Sequence, residues 1–151
     1  MANRTALVTG ASSGIGAVYA DRLARRGHDL VLVARDKAKL EALAGRLKRE
    51  TGIAIEVLPA DLTDGADRGK VEARLKEDSR IGILINNAGT TVPGGFSDPD
   101  LESLDKLIRL NVTAVTRLAA AVAPRLAAEG EGAIVNVASV LALAPGSTAC
   151  T

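Results

Sequence analysis

Thr5-Ala-Leu-Val-Thr9 runs directly into Gly10-Ala11-Ser12-Ser13-Gly14-Ile15-Gly16, and the residues from Gly14 onward have helical spacing. A short apolar strand that turns on glycines into a helix is the opening unit of a nucleotide-binding α/β sheet. Positions without side chains let backbone N–H groups approach a pyrophosphate, which then rests at the positive end of the helix dipole. Ser12 and Ser13 add hydroxyl donors to the turn. Taken alone, such a turn also fits an ordinary loop that binds nothing, so the rest of the chain has to carry the assignment.

The rest of the chain repeats the pattern. Apolar, β-branched runs at Thr5–Thr9, Asp29–Val33, Ile53–Leu58, Ile81–Asn86 and Gly132–Ala138 alternate with helical stretches at Gly14–Arg26, Lys37–Thr51, Asp64–Glu77 and Pro99–Ala128. Alternation of this kind predicts an α/β fold with a doubly wound parallel sheet. The strands are apolar nearly throughout, as expected where helices cover both sheet faces. In the last helix Asp98 is placed to cap the N-terminus with Pro99 at its first position, and Pro124 is expected to bend or end it. Its apolar stripe runs Leu101, Leu104, Leu107, Ile108, Val112, Val115, Leu118, Val122. Gly94-Gly95 reads as a loop. With no internal repeat and no dividing linker, residues 1–151 read as one domain.

Charge and cysteine usage narrow the function classes. Lys plus Arg number 19 against 18 for Asp plus Glu, so no one-sign field draws in nucleic acid or an anionic membrane. A small neutral or anionic partner fits better. The single cysteine, Cys150, rules out an internal disulfide framework and a multi-thiolate metal site; no metal site is expected. No apolar run approaches a membrane span and no leader pattern opens the sequence, so the expected location is the cytoplasm.

The glycine spacing differs from Gly-x-Gly-x-x-Gly and resembles the Thr-Gly-x-x-x-Gly-x-Gly turn of the short-chain dehydrogenase/reductase family. Asn86-Asn87-Ala88-Gly89, ending the fourth strand, is similar to the family's Asn-Asn-Ala-Gly element, and Asp61-Leu62 to its adenine-contacting pair. The resemblance implies a Rossmann fold and an oxidoreductase that interconverts a carbonyl and an alcohol with a nicotinamide cofactor. It implies cofactor contacts at Gly10, Ser12, Ser13, Gly14, Ile15, Gly16, Ala34, Arg35, Asp61, Leu62, Asn87, Ala88 and Gly89.

The end of the second strand, Val33-Ala34-Arg35-Asp36, bears on which nicotinamide cofactor binds. An acidic residue there bonds a free ribose 2′-hydroxyl, whereas a cation accommodates a 2′-phosphate. By the resemblance Ala34 stands where NAD-preferring members carry aspartate, and Arg35 where NADP-preferring members carry an arginine. Its planar fork and permanent charge suit a phosphate. The expected cofactor is NADP in preference to NAD, with Asp36 capping the next helix; an Asp36 that reached the ribose would reverse the preference.

For catalysis the resemblance assigns Ser139 to a hydrogen bond with the substrate oxygen and Asn111 to a water that extends the proton path. The family's Tyr-x-x-x-Lys pair would fall beyond Thr151, so the expectation is a longer parent chain and a 151-residue piece that is inactive alone, with the sheet incomplete on its C-terminal side. Tyr19 is followed four residues on by Leu23 and cannot supply that pair; it reads as a packing residue. The resemblance also implies a homodimer or homotetramer for the complete protein. A non-catalytic dinucleotide-binding sensor or scaffold is the alternative, while an epimerase or dehydratase is disfavoured by the glycine spacing. His28, in a turn, and Cys150 have no companions that would make them ligands or nucleophiles.

Overall fold

Five parallel strands, β1 (Thr5–Thr9), β2 (Leu30–Ala34), β3 (Ile55–Pro59), β4 (Ile81–Asn86) and β5 (Ala133–Asn136), form one sheet in the order β3-β2-β1-β4-β5. They are seen in a computed structural model that describes residues 4–92 and 100–139. The helices are α1 (Gly14–Arg25), α2 (Lys37–Thr51), α3 (Gly65–Glu77), α4 (Leu101–Ile108) and α5 (Val115–Glu129), with a π-helical segment, Arg109–Ala114, between the last two. This is the doubly wound parallel sheet of a Rossmann fold.

Alternation along β1 shows why the strands lack a polar face. Ala6 and Val8 pack with Ala20 and Leu23 of α1 and Leu40 and Leu47 of α2, while Leu7 packs with Val71 and Leu75 of α3 and Leu118 and Val122 of α5. Both faces are therefore core, and each fully buried leucine contributes roughly 1.5–3 kcal/mol. From β1 the chain winds outward through β2 to β3, then returns past β1 to β4. That reversal opens a crevice at the carboxyl ends of β1 and β4, where ligands bind in open α/β sheets.

The long helix differs from its sequence reading in three ways. Its cap is Asp100 rather than Asp98: the Asp100 carboxylate accepts from Glu102 N–H (3.1 Å) and Ser103 N–H (3.2 Å), and from Ser103 Oγ (2.5 Å). Asp98, Pro99 and the Gly94-Gly95 loop lie outside the described residues. Pro124 does not end α5, which continues to Glu129 and stops at Gly130, a residue in the left-handed region. The π-helical segment also breaks the helical phase, so the apolar stripe does not stay on one face. Leu118 and Val122 are buried, whereas Leu101, Ile108 and Val112 remain 71%, 51% and 55% exposed.

Leu101–Glu129 is long and apolar enough to cross a membrane, by length and composition alone, with 22% of its apolar window buried. No single apolar run in the sequence suggested this, because the mean is raised by scattered alanines, valines and leucines. The inward face of α5, including Ala121 and Leu126, belongs to the sheet's own core. At the opposite edge from β3, β5 pairs, among the described residues, with β4 alone, through Ile83–Ala133 to Asn86–Asn136.

Candidate cofactor cleft and active site

The glycine turn is built on two backbone requirements. Gly10 (φ 65°) and Gly14 (φ 53°) occupy the left-handed region, and a Cβ on Gly16 would strike the Gly10 carbonyl oxygen and come 2.5 Å from Asn87 Nδ2. Ser13 caps α1 by position but its hydroxyl makes no capping bond. The first-turn N–H groups of α1 therefore keep their donors for something else. Around Gly14 there is open space: nothing lies within 4 Å of where its Cβ would stand.

Thr9 joins this turn to the end of β4. Its hydroxyl donates to Ile85 O (3.2 Å) and accepts from Asn87 N–H (3.0 Å) and Ala88 N–H (3.1 Å). Asn87 returns the contact through Nδ2, which donates to Thr9 O at 3.0 Å and Gly10 O at 3.3 Å. Asn86, buried, donates from Nδ2 to Asn136 Oδ1 at 3.0 Å and so ties β4 to β5. The strands' polar side chains thus fix the loops that follow them.

A cleft of about 870 Å³ opens there. Of the residues expected to touch the cofactor, Gly10, Ser12, Ser13, Ala34, Arg35, Asp61, Leu62, Asn87, Ala88 and Gly89 line it. Gly14, Ile15 and Gly16 stand on the first turn of α1 without lining it, and Ile15 is 59% exposed. Lys39, Thr63, Thr90, Lys106 and Leu110 also line the cleft and were missed by the sequence reading. A signal existed for Lys39, four residues after Arg35 at the start of a helix, and for Leu110 beside Asn111. Lys106 gave none, since α4 reaches the cleft only through the fold.

Asp36 caps α2 through Oδ1, which accepts Lys39 N–H at 3.0 Å, and its Oδ2 lies 3.3 Å from Lys39 Nζ. The Lys39 backbone N–H, reinforced by the ammonium group, holds the Asp36 carboxyl below its ordinary range. The acid after Arg35 is therefore engaged by the helix, as its position in the sequence predicted.

Asn111 sits within the π-helical segment, not in regular α-helix. Its Oδ1 accepts from Thr90 N–H at 2.9 Å and its Nδ2 donates to Thr90 O at 2.8 Å. Both amide atoms thereby hold the strand-4 loop. Ser139 follows β5 at the same carboxyl edge of the sheet and is exposed.

His28 and Tyr19 have structural partners. His28 Nδ1 lies 2.8 Å from the Arg4 carbonyl oxygen, a donor contact that assigns the proton to that nitrogen. Tyr19 packs against the α1–α2 core. Cys150 lies outside the described residues, and among those described no three His, Cys, Asp or Glu side chains gather as a metal-ligating group.

Residues 4–151 match the model of the family described as short chain dehydrogenase. The chain belongs to that family. Among solved structures, a short-chain dehydrogenase from Sphingobium yanoikuyae in complex with NADPH is 64% identical, with a TM-score of 0.93 over 95% of this chain and 56% of that one. A bulky-bulky ketone specific alcohol dehydrogenase from Comamonas testosteroni is 58% identical, with a TM-score of 0.93 over 97% of this chain and 59% of that one. A very-long-chain 3-oxoacyl-CoA reductase from Anas platyrhynchos is 37% identical over 145 residues, 93% of this chain and 46% of the relative. The chain spans about half the length of these relatives.

Proposed function

We propose that the whole protein is an NADP(H)-dependent carbonyl reductase or alcohol dehydrogenase of the short-chain family. One observation carries the cofactor choice: Arg35 and Lys39 both line the cleft, Ala34 offers no acid, and Asp36 is engaged as a helix cap. Two cations at the mouth of β2 suit a ribose 2′-phosphate. The NADPH bound to the Sphingobium relative supports the same choice.

The residues present fit such a cofactor, because Gly10 and Gly16 have no room for a side chain, the space over Gly14 is open, and the first turn of α1 presents N–H donors that no side chain caps. The pyrophosphate would lie at the start of α1, the adenine by Asp61 and Leu62, and the 2′-phosphate by Arg35 and Lys39. When bound, the nicotinamide supplies or accepts the hydride. Ser139 offers a hydroxyl to the substrate oxygen, and Asn111 holds the Thr90 backbone at the edge of the cleft. We assign the proton donor to the half of the relatives' length that this chain does not span. The cytoplasmic location rests on the single cysteine, which suits a reducing compartment. The homo-oligomer rests on exposed Leu101, Ile108 and Val112.

Titration of the full-length protein with NADPH and NADH by nicotinamide fluorescence tests the cofactor, followed by NADPH oxidation across ketones of increasing bulk. Tighter NADPH binding with turnover of a ketone is expected. Equal binding of the two cofactors defeats the NADP assignment, and tight binding without any turnover favours a sensor.

A further inference from the structure

The loop that would meet the adenine is held from behind by two consecutive side chains of α3. Asp67 Oδ2 accepts the Asp61 N–H at 3.0 Å, and Arg68 donates from Nη1 to the Leu62 carbonyl at 3.3 Å. Adjacent backbone groups of one loop are thus fixed by adjacent helix residues. The loop is further closed by Asp61 itself, whose Oδ1 accepts from Thr63 N–H at 2.9 Å and Thr63 Oγ1 at 2.7 Å. Among the described residues, no partner occupies Asp61 Oδ2, and Asp61 lines the cleft.

Arg68 is held beside Glu72 by charge and not by a hydrogen bond. Its Nε, buried and without a hydrogen-bond partner among the described residues, lies 3.5 Å from Glu72 Oε1, and Arg117 of α5 grips both oxygens of Glu72 at 2.6 and 2.8 Å. Asp67 meets Lys70 at 2.7 Å on the exposed side of the helix. A backbone held at two points gives a side chain a fixed origin, and a fixed acceptor binds with less ordering cost than a mobile one.

We propose that Asp67 and Arg68 are positioning residues for the adenine end of the cofactor, acting through Asp61 and Leu62 without touching the ligand. The inference rests on the NADP(H) reading above. Its test is calorimetric titration of the full chain with adenosine 2′,5′-bisphosphate, which carries the adenine end, and with nicotinamide mononucleotide, which carries the other.

Asp67→Ala is expected to weaken the bisphosphate about tenfold and to leave the mononucleotide within about twofold. Asp67→Asn keeps an acceptor oxygen and recovers most of the affinity. Lys70→Ala, which removes only the exposed ion pair, binds like the parent protein. Unchanged bisphosphate affinity in Asp67→Ala, equal loss of both ligands, or the same loss in Lys70→Ala each overturns the proposal. If Asp67→Ala does not fold, Arg68→Met removes the second anchor and is read in the same way. A parent protein that binds neither NADPH nor the bisphosphate defeats the cofactor reading as well; one that binds both beside an unaffected Asp67→Ala defeats the positioning role alone.

Discussion

Asn111 and Thr90 hold one another through a closed pair of hydrogen bonds, 2.9 Å into the asparagine oxygen and 2.8 Å out of its nitrogen. A side-chain amide carries its acceptor and its donor on separate atoms, so it accepts from and donates to the same residue's backbone at once. Asn111→Asp keeps the shape and loses the donor, and Asn111→Leu loses both. Asn111→Leu is expected to cost about 1–2 kcal/mol in chemical denaturation, with faster hydrogen exchange at the Thr90 amide. Exchange at Thr90 no faster than in the parent would show that the pair does not anchor the loop.

Arg35 and Lys39 lie on one wall of the cleft, so their contributions to cofactor choice are separable. Arg35→Ala should weaken NADPH about ten- to a hundredfold, and Lys39→Ala less, while NADH affinity changes by less than about threefold in both. Fluorescence titration with the two cofactors decides it. Parallel losses for NADPH and NADH would place these cations away from the 2′-phosphate.

A methyl group at Gly16 has nowhere to go, since the Gly10 carbonyl and Asn87 Nδ2 already fill the space. Gly16→Ala is expected to cost about 1–3 kcal/mol, typical of overpacking where backbone must move. Gly14→Ala meets no neighbour within 4 Å, and its cost comes from the positive φ instead. Melting curves of the two variants, measured without cofactor, should place Gly16→Ala lower.

Asp78, buried where α3 meets β4, is held at a pKa of about 2, chiefly by the Arg80 guanidinium, with Arg74 adding to it against the opposing effect of burial. A carboxyl depressed in the folded state stabilises it at neutral pH, and that stabilisation fades between about pH 4 and pH 2 as the group protonates. Asp78→Asn should lower neutral-pH stability and flatten that part of the acid-unfolding curve. An unchanged acid limb would assign the acid sensitivity to other carboxylates.

Local rules located most of the elements and both halves of the Thr9–Asn87 junction in sequence. Thr5–Thr9 and Ile81–Asn86 appear with the boundaries their composition suggests, because each is an apolar run bounded by polar or glycine residues. The start of the long helix was harder: Asp98 and Asp100 both precede apolar spacing, and the first is followed by a proline suited to a helix start. Composition does not separate two caps so close together. The Asn111–Thr90 pair, the Asp67–Asp61 anchor and the presence of Lys106 in the cleft are products of three-dimensional packing. The π-helical segment has no signature in apolar periodicity beyond the exposure it leaves at Val112.

β1 is the first strand among the described residues and lies at the middle of the sheet, between β2 and β4. On the β4 side its Ala6 faces Ile83, a partner separated from it by three whole helices and two whole strands. During synthesis, therefore, the segment that ends in the glycine turn emerges early but stays open along one side until β4 has left the ribosome. Contacts so distant in sequence slow folding and lengthen the exposure of an apolar strand. The glycine-turn wall of the cofactor cleft thus waits for β4 before it is enclosed, and a chaperone that engages the nascent chain would find β1 open along that side in the interval.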